Sequence, residues 1–207
     1  SSYFNLESDF VFEIGLTPNR ADAMSHFGVA RDLLAVLKTK GLVDATKNLN
    51  WKRSNKLVSD NTSLPIELDI QNTDACPRYA GICLSNVDVK DSPSWLQNRL
   101  KSLGLKPINN VVDVTNFILH HIGQPLHAFD YDKITEHKVV VRTAKAGSNF
   151  VTLDEEKRTM DADDLMICNA DDAMCIAGVF GGLGSGVTKA SKNIFLESAY
   201  FDPVYIR

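Results

Sequence analysis

Between Asn109 and Asp130 the segment NNVVDVTNFILHHIGQPLHAFD sets Asp113, Thr115, Asn116 and His127 among Val, Phe, Ile and Leu, and holds three of the five histidines. Polar side chains in an apolar frame cost free energy unless they find partners, so the cluster is either a satisfied internal network or the lining of a site. His127 follows a Gly-Gln-Pro turn, and a neutral imidazole there can hold a water or share a proton near neutral pH. The structural alternative is a histidine that only hydrogen-bonds. His120 and His121 are adjacent on a predicted helix and cannot both face one site.

Three further places could serve the same chemistry. Residues 177–186 concentrate five of the twelve glycines in nine positions, Gly178 to Gly186. Such a loop can offer backbone N–H groups to an oxygen-rich ligand, or be a plain hairpin. It has neither the Lys-Ser/Thr ending of a P-loop nor the dinucleotide-binding glycine spacing. Glu197 lies in IFLESAYF, otherwise a buried-strand sequence, where an acid is paired, exposed by alternation or used in recognition. Arg78 in CPRYAG offers a rigid fork of donors as a ligand clamp, or a surface ion pair. No Ser-His-Asp or Cys-His arrangement stands out, and the histidine spacing disfavours a metal. The chemistry that remains is hydrolysis of an activated ester, where positioned water and oxyanion stabilisation suffice.

The elements that must position these groups are read from periodicity. Phe12 and Ile14 alternate as a short strand, and a helix follows from Ser25 with Phe27, Ala30, Leu33, Leu34 and Leu37 on one face and Gly41 as its stop. This unit is too small for an independent core and must lean on something else. Residues 45–63 lack a periodic face, apart from an extended stretch near Leu57 and Val58, and read as a linker. Lys47, Trp51, Lys52, Arg53 and Lys56 within it make either an RNA contact or a solvated connector. Pro65 opens the main region: Ile66 to Ile70 and Tyr79 to Val89 are strands, and Ser92-Pro93 caps a helix carrying Leu96, Leu100 and Leu103. A second helix runs from Asn110 to His121 and stops at Gly123. Strands follow at 139–142, 149–153, 165–168, 174–179 and 194–199. This order predicts an α+β fold with mixed or antiparallel sheets and flanking helices, preceded by a small helical N-terminal unit.

Composition bounds the rest. The 207 residues are 44% hydrophobic and 23% charged, with a net charge of −4, so any nucleic-acid affinity of this segment alone is expected to be weak. No apolar run reaches the roughly 18 residues of a membrane helix. No signal-peptide pattern opens the chain, and a cytoplasmic location is expected. The four cysteines form two pairs with six residues between partners, which fits neither a zinc ribbon nor a C-x-x-C motif, and they read as buried reduced thiols. A start at Ser-Ser and a helix just opening at FDPVYIR suggest a piece of a longer protein.

The strings TPNRADAMSHFGVARDL, CPRYAG, SPSWLQNRLKSLGLKPINNVVDVTNFILHHIGQPLHAFD, AGVFGG and FLESAYFDPVYIR together resemble the bacterial phenylalanyl-tRNA synthetase β subunit, in that family's order and over nearly the whole chain. The resemblance implies that residues 1–44 belong to a split N-terminal domain, that 45–64 are a linker, and that 65–207 are a module hydrolysing tyrosine wrongly attached to phenylalanine tRNA. It implies Thr115, Asn116 and His127 as catalytic residues. It implies Ala177, Gly178, Gly181 and Arg78 as substrate-binding residues, with Glu197 recognising the tyrosine hydroxyl. Phe180, where the family commonly has methionine, and Phe117, often tyrosine, depart from the pattern. The resemblance also implies phenylalanine tRNA and a synthetase α subunit as partners in an α2β2 assembly. The parent enzyme would use ATP and Mg2+ at a ligase site outside these residues, and this segment itself would need no cofactor. A noncatalytic RNA-docking or subunit-assembly module is the alternative.

Overall fold

The computed structural model describes residues 10–49 and 57–207. Its centre is a five-stranded sheet ordered β1-β4-β7-β8-β9, formed by β1 (Glu67–Ile70), β4 (Lys138–Thr143), β7 (Leu165–Cys168), β8 (Ala173–Ile176) and β9 (Phe180–Gly181). Strands β1 and β4 are parallel and the other pairs antiparallel. A three-stranded antiparallel sheet, β2 (Arg78–Leu84), β10 (Ile194–Tyr200) and β3 (His127–Asp130), packs against it, and β5 (Asn149–Val151) pairs with β6 (Lys157–Thr159). The α+β class with mixed and antiparallel sheets is therefore what the chain adopts.

Alternation along the strands explains the layering. Val139, Val141, Leu165, Ile167 and Cys175 of the larger sheet meet Phe129 and Phe195 of the smaller one in the main core, with Tyr79 and Cys83 packed on it. The intervening residues Val140, Met166 and Cys168 join Phe150 and Met160 in a second core on the opposite face. Central strand β7 is thus buried along its whole length, which is why its sequence LMIC shows no polar alternation. All four cysteines are free thiols, and Cys76, Cys168 and Cys175 are buried.

Helices α2 (Ser94–Ser102) and α3 (Asn110–Ile122) pack together, and α3 also contacts β3. Asn109 caps α3 by accepting from the N–H groups of Val111 and Val112 at 3.0 Å each. Gly123 closes it with φ +80°, a left-handed geometry that glycine adopts without the Cβ penalty. Helix α1 (His26–Thr39) begins at a Ser25 cap and packs on α3, where the His26 and His121 rings lie 6.2 Å apart. The terminal turn α4 (Pro203–Ile206) follows β10. No helix among the described residues is long and apolar enough to cross a membrane.

Three expectations need correction. Phe12 and Ile14 form no strand and are 80% and 50% exposed, because no neighbouring strand among the described residues supplies a ladder for them. The α1 face is only half-buried, with Leu33 55% exposed. Ser92 does not cap α2, since its hydroxyl instead donates to Asp113. Trp51, Lys52, Arg53 and Lys56 lie outside the described residues, and Lys47 is exposed.

Candidate functional site

Strand register brings the two titratable groups together. Glu197 on the central strand of the smaller sheet is paired with His127 on one side and Gly81 on the other. Directly opposed residues on neighbouring strands point to the same sheet face, with Cβ atoms about 5 Å apart. Gly81 leaves space on that face for the Phe195 ring, which would lie 2.3 Å from any Cβ added there. The His127 ring rests edge-on against Phe129, with centroids 4.4 Å apart.

Glu197 and His127 open onto a cavity of about 630 Å³, within the range of small-ligand sites. Glu197 is 5% exposed, and no side chain or backbone N–H among the described residues bonds its carboxyl. Burial alone raises its pKa to about 7. Burial also lowers the His127 pKa to about 4. The imidazole is therefore neutral across the physiological range, while the carboxyl is poised between its two forms.

The glycine-rich segment is both a hairpin and a wall of this cavity. Residues 176–179 make a type II turn, with the Val179 N–H on the Ile176 carbonyl at 3.0 Å and Gly178 at φ +68°, the position where that turn favours glycine. The N–H groups of Ala177, Val179, Gly182 and Leu183 are used by backbone carbonyls. The Gly178 N–H, at the cavity wall, has no protein partner among the described residues and is available to a ligand oxygen. Gly181 lies against the imidazole: a Cβ there would stand 2.8 Å from His127 Cε1 and 3.2 Å from Nε2.

Of the residues singled out in the sequence, His127, Gly178, Gly181 and Glu197 share this cavity. Ala177 sits just behind it, buried, with its N–H on the Leu165 carbonyl at 2.9 Å. Thr115 and Asn116 lie one turn of α3 before Leu119, which does line the cavity, and the Thr115 hydroxyl donates to the Val112 carbonyl at 2.7 Å. Arg78 is exposed and pairs in register with Tyr200 at the end of the smaller sheet. Sequence reasoning missed the apolar part of the wall, formed by Tyr200, Phe201 and Ile206 around α4, and missed Gln124 and Cys175. The only signal for the first group was the aromatic content of YFDPVYIR, too short to show a period. Among the described residues no group of three or more His, Cys, Asp or Glu side chains is placed to hold a metal ion.

Residues 75–207 match the model of the B3/4 domain family. The chain is 54% identical over 205 residues to the phenylalanine–tRNA ligase beta subunit of Bacteroides fragilis, covering 99% of this chain and 25% of that protein. The same subunit of Porphyromonas gingivalis is 50% identical over 208 residues, covering 100% and 25%, and that of Streptococcus pyogenes 45% identical over 206 residues, covering 99% and 24%. The chain thus spans about a quarter of the length of these curated relatives. An N-terminal fragment of the phenylalanyl-tRNA synthetase beta subunit from Pyrococcus horikoshii is a remote structural neighbour, with a TM-score of 0.49, 16% identity and coverage of 90% of this chain and 54% of that one. The family match takes in the strands that carry Glu197 and His127 and the glycine hairpin between them, and by it the chain belongs to the B3/4 domain family, in a form similar over nearly its whole length to phenylalanine–tRNA ligase beta subunits.

Proposed function

We propose that this cavity is an editing site that hydrolyses the ester of tyrosine mischarged onto phenylalanine tRNA. The observation that carries the reading is the buried Glu197 carboxyl, which accepts no hydrogen bond from the described residues and opens onto a largely apolar cavity beside a neutral imidazole. A carboxyl so placed accepts a hydrogen bond from a ligand hydroxyl that phenylalanine lacks. A site that needs such a bond rejects the analogue without it by roughly 10⁴ or more.

In this reading Glu197 selects the tyrosyl group, and the Gly178 N–H stabilises charge developing on the carbonyl oxygen. A pKa of about 4 makes His127 a weak base, so it serves to orient the attacking water by accepting its proton in a hydrogen bond. The water oxygen bonds to the ester carbon, the bond to the ribose oxygen breaks, and that oxygen leaves with a proton as a hydroxyl. Thr115 and Asn116, which do not line the cavity, support the turn of α3 that carries Leu119 into its wall. Ala177 shapes the glycine turn, and Arg78 meets the RNA backbone from the sheet end. Joining phenylalanine to tRNA, with ATP and Mg2+, is the work of the parent cytoplasmic enzyme and its α subunit.

Deacylation of tyrosyl-tRNA by the full synthetase tests this. His127→Ala and Glu197→Ala should each slow release by about 10²-fold or more, and Glu197→Ala should also erase the preference for tyrosine over phenylalanine. Equal rates in wild type and both variants would favour a noncatalytic RNA-docking module.

A further inference from the structure

Tyr79 stands next to Glu197 and has no place in the mechanism above. It pairs in register with Ala199, two residues beyond Glu197 on the same strand, so its ring lies on the Glu197 face as a diagonal neighbour. Diagonal cross-strand neighbours are about 7–8 Å apart at Cα, within reach of an aromatic side chain. The Tyr79 hydroxyl is fully buried with no hydrogen-bond partner, the one such side-chain group among the described residues. A native protein tolerates an orphaned buried hydroxyl where it has a use.

The groups that face Tyr79 are Glu197, Cys175 and Cys76, and His127 lies across from Glu197. The two thiols already donate to backbone carbonyls, Cys76 to Arg78 at 3.6 Å and Cys175 to Ile176 at 3.3 Å. The strong acceptor left for the phenol is the Glu197 carboxyl. Burial first, and then the Glu197 charge, push the Tyr79 pKa up, so the phenol keeps its proton and is a donor at every working pH.

We infer that Tyr79 is a positioning residue, whose hydroxyl, unbonded in the structure, turns onto one oxygen of the Glu197 carboxylate when that group ionises and leaves the other as a single directed acceptor for the ligand hydroxyl. The carboxyl and the phenol are thus two parts of one recognition device. This deepens the editing reading and rests on it for the second of two tests.

The first test reads Glu197 directly, by 13C NMR titration of labelled glutamate in the wild-type chain and in Tyr79→Phe. Loss of the donor should raise the Glu197 midpoint by roughly one unit, because a hydrogen bond to the charged form favours that form. An unmoved midpoint overturns the proposal. The second is a double-mutant cycle on tyrosyl-tRNA hydrolysis by the full synthetase, with Tyr79→Phe, Glu197→Gln and the pair. Tyr79→Phe alone should lower the tyrosine-over-phenylalanine preference about tenfold, the worth of one hydrogen bond to a charged group, and add nothing to Glu197→Gln. The same loss in both backgrounds would make Tyr79 independent of Glu197 and overturn the inference. A wild-type enzyme that leaves tyrosyl-tRNA intact defeats the editing reading, and the NMR titration then decides Tyr79 by itself.

Discussion

Two carboxyl groups in this fold are buried to the same degree and treated in opposite ways. Asp113 on α3 is fully buried, and Glu197 on the central strand of the smaller sheet is 5% exposed. Asp113 accepts from the Ser92 hydroxyl at 2.5 Å and from the Ile108 N–H at 2.8 Å, which ties the segments on either side of α2 to the start of α3. Glu197 receives no hydrogen bond from any described residue in the structure and faces a cavity. Burial alone therefore does not mark a functional acid. The partners left for a ligand do, because a satisfied buried group stabilises the fold and an unsatisfied one costs free energy until something binds.

The comparison predicts opposite outcomes for removing the two acids. Asp113→Ala leaves a buried hydroxyl and a backbone N–H without their acceptor and should lower stability by about 4 kcal/mol, measured by urea unfolding. A loss under about 1 kcal/mol would break the contrast. Glu197→Gln should instead be neutral in acid and stabilising in base. The Glu197 pKa rises from 4.5 to about 7 on folding, so the folded state holds its proton more tightly. Its contribution is fully present below pH 4.5 and is lost as pH rises through about 7. The glutamine variant has no such loss and should gain on wild type by ~3 kcal/mol between pH 4 and pH 8. His127, held down to about 4, loses stability in the other direction, as pH falls from 6.5 through 4, and does so in both proteins. A gap that stays constant with pH would mean that burial does not raise the Glu197 pKa, and would break the contrast.

The same contrast explains what could be read from the sequence. Helix α3 was legible because Asn109 and Gly123 mark its ends with capping chemistry that works locally. Strand β7 was legible as an apolar run bounded by polar residues. The strand His127–Asp130 was not, because its pairing with β10 joins residues about seventy positions apart and HAFD by itself reads as the tail of a turn. That one pairing sets His127 beside Glu197, so the two were singled out separately while their adjacency stayed hidden. Asp113 was visible as a polar residue in an apolar frame, but its acceptor role depends on Ser92, whose place before a proline suggested a helix cap. Tyr79 left no mark, since a tyrosine in a strand is ordinary until its hydroxyl is found without a partner.

The smallest expected effect concerns how closely the polar side of the cavity is fitted. At Gly181 an added methyl would meet both the His127 ring and Leu153 Cδ1, the latter at 2.9 Å. Both neighbours are side chains, so Gly181→Ala should be accommodated by a shift of the imidazole at a cost of about 2 kcal/mol in thermal or urea unfolding. The displaced ring moves toward the cavity and gains water, which reduces the burial that depresses its pKa. The His127 midpoint, followed by NMR of the ring protons, should therefore climb from about 4 toward its ordinary value, while the Asp113 network on α3 keeps its bonds. A His127 midpoint that stays near 4 while stability falls would mean that the backbone of the glycine hairpin yields instead, and that Gly181 is required by the turn and not by the imidazole.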